Sequence, residues 1–212
     1  MKMYSMLALA CAFLIGCAAP RVVVDPSWKE KPASVKVVFT EPFVANPEDL
    51  QDDLPDYVDH FQDWYLDQLL TNLAKFAKGV KFSGEMISRD KVKYESGAME
   101  GGNVKVPKYD SMQDDADIYL VMDDLWIGRT EVQSTCSTGM GAAGGAGMSA
   151  SCMTPAFANK GSFAYYDAKT GKRLAYGDFQ ENMGFTFGVS ANDWKNVLYM
   201  TSQTLLKKTP IR

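Results

Sequence analysis

The sequence predicts an α+β fold: a single mixed or antiparallel sheet, with a long first helix and a C-terminal helix packed on one face. Three observations predict this class. A β-branched run at 35–39 precedes a stretch at 56–77 whose apolar residues recur every three or four positions, strand-like runs then follow one another between 117 and 177, and a second amphipathic stretch follows Ser190. Strands that are grouped together, rather than alternating with helices, are typical of α+β domains.

The first 17 residues have the order of a secretory signal. Lys2 is followed by an apolar run at 6–15, and a cysteine, Cys17, comes soon after it. About 20 apolar residues are needed to span a bilayer, so this run is too short for an ordinary transmembrane helix. The sequence LIGC at 14–17 resembles the lipobox of bacterial lipoproteins.

The lipobox resemblance implies that residues 1–16 are removed and that Cys17 carries fatty acyl chains. Two or more such chains give stable membrane anchoring. Because Ala18 rather than an aspartate follows the cysteine, the resemblance also implies the outer membrane, on its periplasmic face or at the cell surface. The alternative is a plain secretory signal that is cut near Ala18-Ala19.

The remaining cysteines fit an exported protein. Cys136 and Cys152 form an even pair outside the signal, and thiols oxidise in exported compartments. We predict a disulfide between them, which in the chain-entropy model stabilises the fold by roughly 3 kcal/mol. Two free thiols in a mobile loop are the alternative.

The segment after the cysteine reads as a tether that leads into a domain at 35–212. Residues 17–34 contain three prolines, which disfavour a helix. Within this segment, Val22-Val23-Val24 fits an edge strand. The acidic stretch at 48–53 fits either a cation site or a charged entry to the following helix, and it has no EF-hand spacing.

The middle of the chain alternates strands and loops. The helix at 56–77 carries the only histidine, His60, beside its apolar stripe, where a surface or packing role is expected. A strand begins near 80, and residues 91–113 lack periodicity and read as a long loop. The strongest strand begins at 117, and Asp123-Asp124 indicates either a bulge or a strand end that reaches solvent.

The C-terminal half reads as a hairpin followed by a helix. Residues 134–152 are rich in glycine and alanine and are predicted to form a flexible loop. Strands at 161–167 and 173–177 flank a turn in which Gly171 supplies a positive φ. Ser190, with Asp193 three residues later, is a capping-box variant that starts the last helix.

The lipobox, the strand at Val35 and two later segments carry a family resemblance. The segments ADIYLVM at 116–122 and YYDAKTGKRLAYGDF at 165–179 resemble those of envelope lipoproteins related to the curli-secretion lipoprotein and to the ABC-transport auxiliary lipoproteins. The resemblance implies an α+β domain that works at the cell envelope. It implies no functional residues.

Sites for chemistry are scarce in the sequence. It contains no nucleophile elbow, no Walker loop, no His-Glu-x-x-His and no Cys-x-x-Cys, so we expect no cofactor and no metal. The acidic pairs Asp114-Asp115 and Asp123-Asp124 fit acidic turns better than glycosidase carboxylates. Met140, Met148 and Met153 are spaced too widely for a convincing Cu(I) site.

The aromatic strand residues give the one candidate binding surface. Trp126, Tyr165, Tyr166 and Tyr176 lie on strands expected to be neighbours. They form either an exposed ring platform or ordinary core and cross-strand pairs.

We therefore expect a non-enzymatic, membrane-anchored lipoprotein that acts through protein–protein contacts as an accessory or assembly factor, with an envelope protein or a second copy as its partner. The alternative is a polysaccharide-binding module that uses the aromatic face. An enzyme of an unrecognised class would instead need a deep pocket lined by carboxylates. The formal net charge of −4 and the absence of a basic run disfavour nucleic acid as a partner.

Overall fold

The computed structural model describes residues 21–137, 149–185 and 188–212, with the backbone alone at 135–137 and 149–150. Two short 3-10 helices lie at Pro55–His60 and Arg89–Lys91. In the described residues the strands and α-helices, in chain order, are β1 (Val22–Val24), β2 (Ser34–Phe39), β3 (Phe43–Val44), α1 (Pro47–Asp53), α2 (Phe61–Phe76), β4 (Lys81–Met86), β5 (Val92–Met99), β6 (Gly102–Tyr109), β7 (Ile118–Ser137), β8 (Ser149–Asp167), β9 (Arg173–Gly184) and α3 (Ala191–Leu205).

Seven strands form one mixed sheet in the order β1-β9-β8-β7-β2-β4, and β3 pairs with the second half of β7. β2 is parallel to both β4 and β7, and β7, β8 and β9 form an antiparallel meander. The α+β class with a large mixed sheet is therefore confirmed.

Helices α2 and α3 share one apolar cluster with one face of this sheet. Alternate residues of β2, Val35, Val37 and Phe39, point into that cluster, while Val38 points to the other face, as the two-residue period of a strand requires. The predicted core face of α3 is fully buried and consists of Trp194, Val197, Leu198, Thr201 and Leu205.

The opposite face is covered by a second sheet, which the sequence did not predict. β5 and β6 form a two-stranded hairpin in the region predicted to be a loop at 91–113, so both the loop and the single sheet were wrong. Only a few hairpin residues, among them Val92, Val106 and Tyr109, join the apolar cluster on this face. Because the hairpin packs on a larger sheet and contributes so few core residues, apolar and polar residues alternate only weakly along its two strands.

The long first helix is shorter than predicted and is preceded by two short helices. Residues 48–53, predicted to be an acidic loop, belong to α1, and 55–60 form a 3-10 helix, so α2 begins at Phe61. Pro47 and Pro55 each occupy the first turn of a helix, where a missing N–H costs nothing. The two prolines therefore start two short helices in the segment that precedes α2.

The predicted tether at 17–34 is packed on the domain from Arg21 onward. β1 pairs with β9, and Asp25 forms an ion pair with Lys172. The Trp28 ring is buried and lies 5.4 Å from that of Tyr165. Cys17 and the rest of 1–20 lie outside the described residues.

The Gly/Ala-rich segment predicted at 134–152 begins and ends as strand. β7 and β8 remain paired out to Ser137 and Ser149, so the predicted loop was too long at both ends. Residues 138–148 lie outside the described residues. Cys152 is disulfide-bonded. Because nothing of the Cys136 side chain is described, its pairing with Cys152 stays a prediction.

Two local predictions are confirmed. Gly171 has a φ of 65° in the turn between β8 and β9. The Asp193 carboxylate accepts a hydrogen bond from the Ser190 backbone N–H at 2.9 Å and so caps α3.

Candidate functional site

A cleft of about 540 Å³ opens at the carboxyl ends of the parallel strands β2 and β4. In sheets with parallel strands, ligands commonly bind beyond the carboxyl ends of the strands, where the loops diverge. We call this feature the carboxyl-end cleft; it is lined by Thr40, Glu41, Phe43, Met86, Ile87, Ser88, Arg89 and Leu125.

The predicted bulge in β7 forms the floor of the cleft. The pairing of β7 with β8 shifts register between Asp123 and Trp126, and Asp124 has a φ of 52°. Positive φ is uncommon outside glycine but is tolerated by aspartate and asparagine. Beyond the bulge, β3 replaces β2 as the neighbour of β7, which leaves the space that the cleft occupies.

Asp123 is a fully buried carboxylate beneath the cleft. It accepts a hydrogen bond of 2.5 Å from the Thr40 hydroxyl and another from the Tyr94 hydroxyl. The Arg89 Nε lies 3.6 Å from it, and the guanidinium also forms an ion pair with Asp124. Asp123 therefore ties together the end of β2, the bulge, the segment after β4 and the hairpin strand β5, instead of lying in the exposed acidic turn that the sequence suggested.

The buried carboxylate raises the pKa of two neighbours. Its negative charge is the main cause that raises the pKa of Arg89. Partial burial, followed by the hydrogen bond to Asp123, raises the pKa of Tyr94 to about 12. The shift of Tyr94 therefore acts at alkaline pH.

We expect the stability to fall at alkaline pH in part through Tyr94. An unfolded tyrosine loses its proton near pH 10, whereas folded Tyr94 holds its proton up to about pH 12. Between these values the folded state binds more protons, so the free energy of unfolding is at its full value below about pH 10 and falls as the pH rises. Urea unfolding at pH 8, 10 and 11 should show a smaller alkaline loss for Tyr94→Phe than for the native chain, and equal losses would contradict the assignment.

The rim of the cleft combines exposed apolar side chains with an ion-paired arginine. Phe43 is 62% exposed and Met86 is 47% exposed, and both line the cleft with Arg89. Tyr94, the partner of Asp123, is also partly exposed. Aromatic residues, methionine and arginine are the types enriched at protein interfaces. The cleft can therefore bury an apolar group beside the Arg89–Asp124 ion pair.

A second cleft, of about 660 Å³, lies near the start of β7 and is lined mainly by the segment 27–33. Two of its three acidic groups, Asp117 and Asp167, already have partners within the chain. The Asp117 carboxylate accepts hydrogen bonds from the backbone N–H groups of Ala33 and Ser34 at 2.8 and 3.0 Å, and Asp167 accepts from Thr170 in the β8–β9 turn. The bonds to Asp117 fix the start of β2 beside this cleft.

Of the two interpretations of the aromatic strand residues, the core one holds for three of the four rings. Tyr165 is buried on the helix side, and its hydroxyl donates to the Leu205 carbonyl at 3.0 Å. Tyr166 and Tyr176 are buried beneath the hairpin and donate to backbone carbonyls of β5 and β6. Trp126 is half-buried, and the Lys160 ammonium lies 4.2 Å from its ring centre.

These rings are buried because a strand has two faces and because the unpredicted hairpin covers the second face of the sheet. Neighbouring residues of β8 point to opposite faces, and both faces are covered at these positions. Sequence reasoning missed the cleft residues Phe43, Met86 and Arg89. The one available signal was the bulge at Asp123-Asp124, which marked where β7 changes neighbours.

The other sequence candidates can be placed in part. His60 is exposed at the end of the 3-10 helix that precedes α2. Met153 is exposed on β8, and Met140 and Met148 lie outside the described residues. Across 21–137, 149–185 and 188–212, no group of three or more histidine, cysteine or acidic side chains is arranged to hold a metal ion. No helix within those ranges has the length and apolar character needed to cross a membrane.

No family model matches this chain, and no curated protein matches it. Among solved structures, it is similar to a homolog of the neuraminyllactose-binding hemagglutinin from Helicobacter pylori, at 11% identity over 84% of this chain and 82% of that chain, with a TM-score of 0.35. It is also similar to PelC from Paraburkholderia phytofirmans, a dodecamer. One PelC structure matches at 9% identity over 90% of this chain and 98% of that chain, with a TM-score of 0.36, and another at 9% over 88% and 95%, also with a TM-score of 0.36. Likeness at this level assigns no function to this chain.

Proposed function

We propose that this chain is a non-enzymatic envelope lipoprotein, anchored through acylated Cys17, that binds an extended segment of another envelope protein at the carboxyl-end cleft. The observation that carries the proposal is the group of exposed apolar side chains around Arg89. Phe43 and Met86 together offer an apolar anchor site, and the Arg89 guanidinium beside it is held in place by its ion pairs with Asp123 and Asp124. A few such residues typically supply most of the affinity of an interface.

The strand beside the cleft supports an extended partner. β4 forms one edge of the main sheet, and no other described strand pairs with its outer side. The N–H groups of Lys81 and Ile87 donate to the β2 side. Because alternate residues of a parallel strand bond to one neighbour, the backbone groups of Phe82, Gly84 and Met86 point outward. An added strand can satisfy these groups, and its side chains then enter the cleft where β4 ends.

The polysaccharide alternative depended on an exposed aromatic face. Three of its four rings are buried and hydrogen-bonded to the backbone, so no observation now favours it. A second copy of this chain is the other candidate occupant, and the experiment below distinguishes it from a different protein.

We expect the double variant Phe43→Ser, Met86→Ser to lose the partner. Both side chains are largely exposed, and exposed substitutions usually change stability by about 0.5 kcal/mol or less. Loss of interface anchors of this kind typically costs more than about 1.4 kcal/mol, a tenfold loss of affinity. The measurement is in-cell crosslinking with mass spectrometry on the lipidated protein.

The matched control is Met153→Ser, because Met153 is a similarly exposed methionine outside the cleft. The double variant should lose the links to one envelope protein at least tenfold, while the control keeps them. Links to a second copy that disappear in the same way would make the partner a homo-oligomer. Links that survive in the double variant, or no links from the native chain, would refute a binding role for the cleft.

A further inference from the structure

We infer that the segment bound along β4 is a basic segment of another envelope protein, and that its lysine or arginine side chains lie across α2. Their stems cover the leucine row of that helix, which is Leu66 and Leu70, and their charged ends pair with the acidic row, which is Asp63 and Asp67. The inference rests on the proposed function, which gives the partner an extended shape. It adds the chemistry by which that partner is recognised.

The first observation is that α2 lies directly above the open edge strand. Phe82 of β4 packs against the apolar cluster on the helix side, and so do the half-buried Leu66 and Leu70. A methyl group at Gly84 would lie 2.9 Å from the Leu66 Cδ1, so helix and strand are in close contact there. An added strand lies roughly 4.8 Å outside β4. Every second side chain of that strand therefore points toward the leucine row.

The second observation is the acidic row beside these leucines. Asp63 lies three residues before Leu66. Asp67 lies three residues before Leu70. Residues at this spacing are neighbours on a helix surface, and like charges four residues apart repel each other. Both aspartates are exposed, and neither forms an ion pair within the described part of the chain. The acidic row therefore leaves two negative charges for a partner to neutralise.

The third observation is that the charge around the acidic row has one sign. The segment 47–70 contains eight acidic residues and no lysine or arginine, although the formal net charge of the whole chain is only −4. Glu41, which lines the carboxyl-end cleft, accepts a hydrogen bond from the Gln62 side chain at 2.8 Å, so the acidic helix face adjoins the cleft. On the other face of β4, Glu85 is paired with Lys36 at 2.9 Å. The negative potential on the helix side favours a basic partner.

Lysine and arginine are the side chains that satisfy both rows at once. Their methylene stems cover apolar surface while the charged end stays in water. An apolar side chain at the same position satisfies the leucine row alone, and an acidic one is repelled by Asp63 and Asp67. The bound segment therefore has a two-residue alternation, with basic residues on the side that faces α2.

Photo-crosslinking from position 71 tests this chemistry, because Thr71 is exposed on α2 and follows Leu70. The lipidated full chain is crosslinked in isolated envelopes, and mass spectrometry reads the sequence of the linked segment. We expect a segment of another protein with lysine or arginine among its alternating positions. The double variant Asp63→Asn, Asp67→Asn should lower the yield about threefold to tenfold, the range expected for the loss of two exposed ion pairs.

The matched control is the double variant Glu30→Gln, Glu131→Gln. Both glutamates are exposed and lie outside α2 and β4, so this variant removes the same amount of charge and should keep the yield of the native chain. Raising the salt from about 0.15 M to about 1 M shortens the screening length from about 8 to 3 Å. The native yield should then fall severalfold, and the yield of the Asp63, Asp67 double variant should fall less.

The outcomes separate this inference from the proposed function. If links from position 43 persist while position 71 gives no link, or a segment without lysine or arginine, the inference alone is overturned. A full yield from the Asp63, Asp67 double variant would overturn it as well. A linked segment of this chain itself would make the occupant a second copy, and so refute a basic segment of another protein. Absence of links from both positions would overturn the inference and the proposed function together.

Discussion

Replacing the buried carboxylate under the cleft, Asp123→Ala, should lower the free energy of unfolding by about 3 kcal/mol, since hydrogen bonds to a charged group are worth roughly 1.5–3 kcal/mol each. The variant loses the bonds from the Thr40 and Tyr94 hydroxyls to a fully buried group. Arg89 adds little to this figure, because its side chain is 64% exposed and water screens its interaction with Asp123. Urea unfolding followed by circular dichroism measures the effect.

Asp124→Asn is the matched control for that substitution. Asp124 is the next residue, is exposed and also pairs with Arg89, and asparagine tolerates its positive φ. We expect a change of about 0.5 kcal/mol or less, the usual size for a surface position. Equal losses in the two variants would contradict the claim that the buried Asp123 carboxylate, on which the cleft floor is built, stabilises the fold.

The other large effect is expected in the core between α2, α3 and the sheet. Trp194 is fully buried, and its ring centre lies 4.6 Å from that of Phe157 and 5.7 Å from that of Phe61. Its indole N–H donates to the Asp53 carboxylate at 3.0 Å. Trp194→Ala should therefore lower the free energy of unfolding by about 3–5 kcal/mol, the usual cost of removing a large buried ring.

Trp194→Phe separates the packing from the hydrogen bond. Phenylalanine keeps most of the buried ring area but cannot donate to Asp53, whose pKa is raised by burial and lowered again by the indole bond. We expect a loss of about 1–2 kcal/mol, the cost of leaving one acceptor unpaired. If Trp194→Ala were as stable as Trp194→Phe, the packing of the ring at position 194 would not stabilise this core.

The elements that the sequence predicted well carry strong local signals. The bulge at Asp123-Asp124 shows as two acids in an apolar run, and the start of α3 shows as the Ser190 and Asp193 capping pair. The hairpin β5–β6 carries no such signal, because glycine interrupts β5 and proline interrupts β6 and because the hairpin contributes only a few residues to a core made mostly by other strands. It could not be predicted without the sheet on which it packs.

The candidate site could not be predicted for a different reason. Phe43, Met86 and Arg89 come from two segments of the chain, and in the sequence no motif marks any of them. They meet because β2 and β4 are parallel neighbours with β7 on the other side of β2, and strand order is not written in a residue pattern. The tyrosines were recognisable in the sequence because they lie on neighbouring strands, and the structure places them in the core.

In-cell photo-crosslinking from position 43, on the lipidated full chain, tests whether the carboxyl-end cleft binds another envelope protein. We expect links from that position to one protein, and we expect these links to be lost in the Cys17→Ala chain, because the anchor keeps the protein at the membrane. A photoreactive residue at position 153, outside the cleft, serves as the reference. Absence of protein links from position 43, or links that are as strong from position 153 or without the anchor, would contradict a lipoprotein that acts through this cleft.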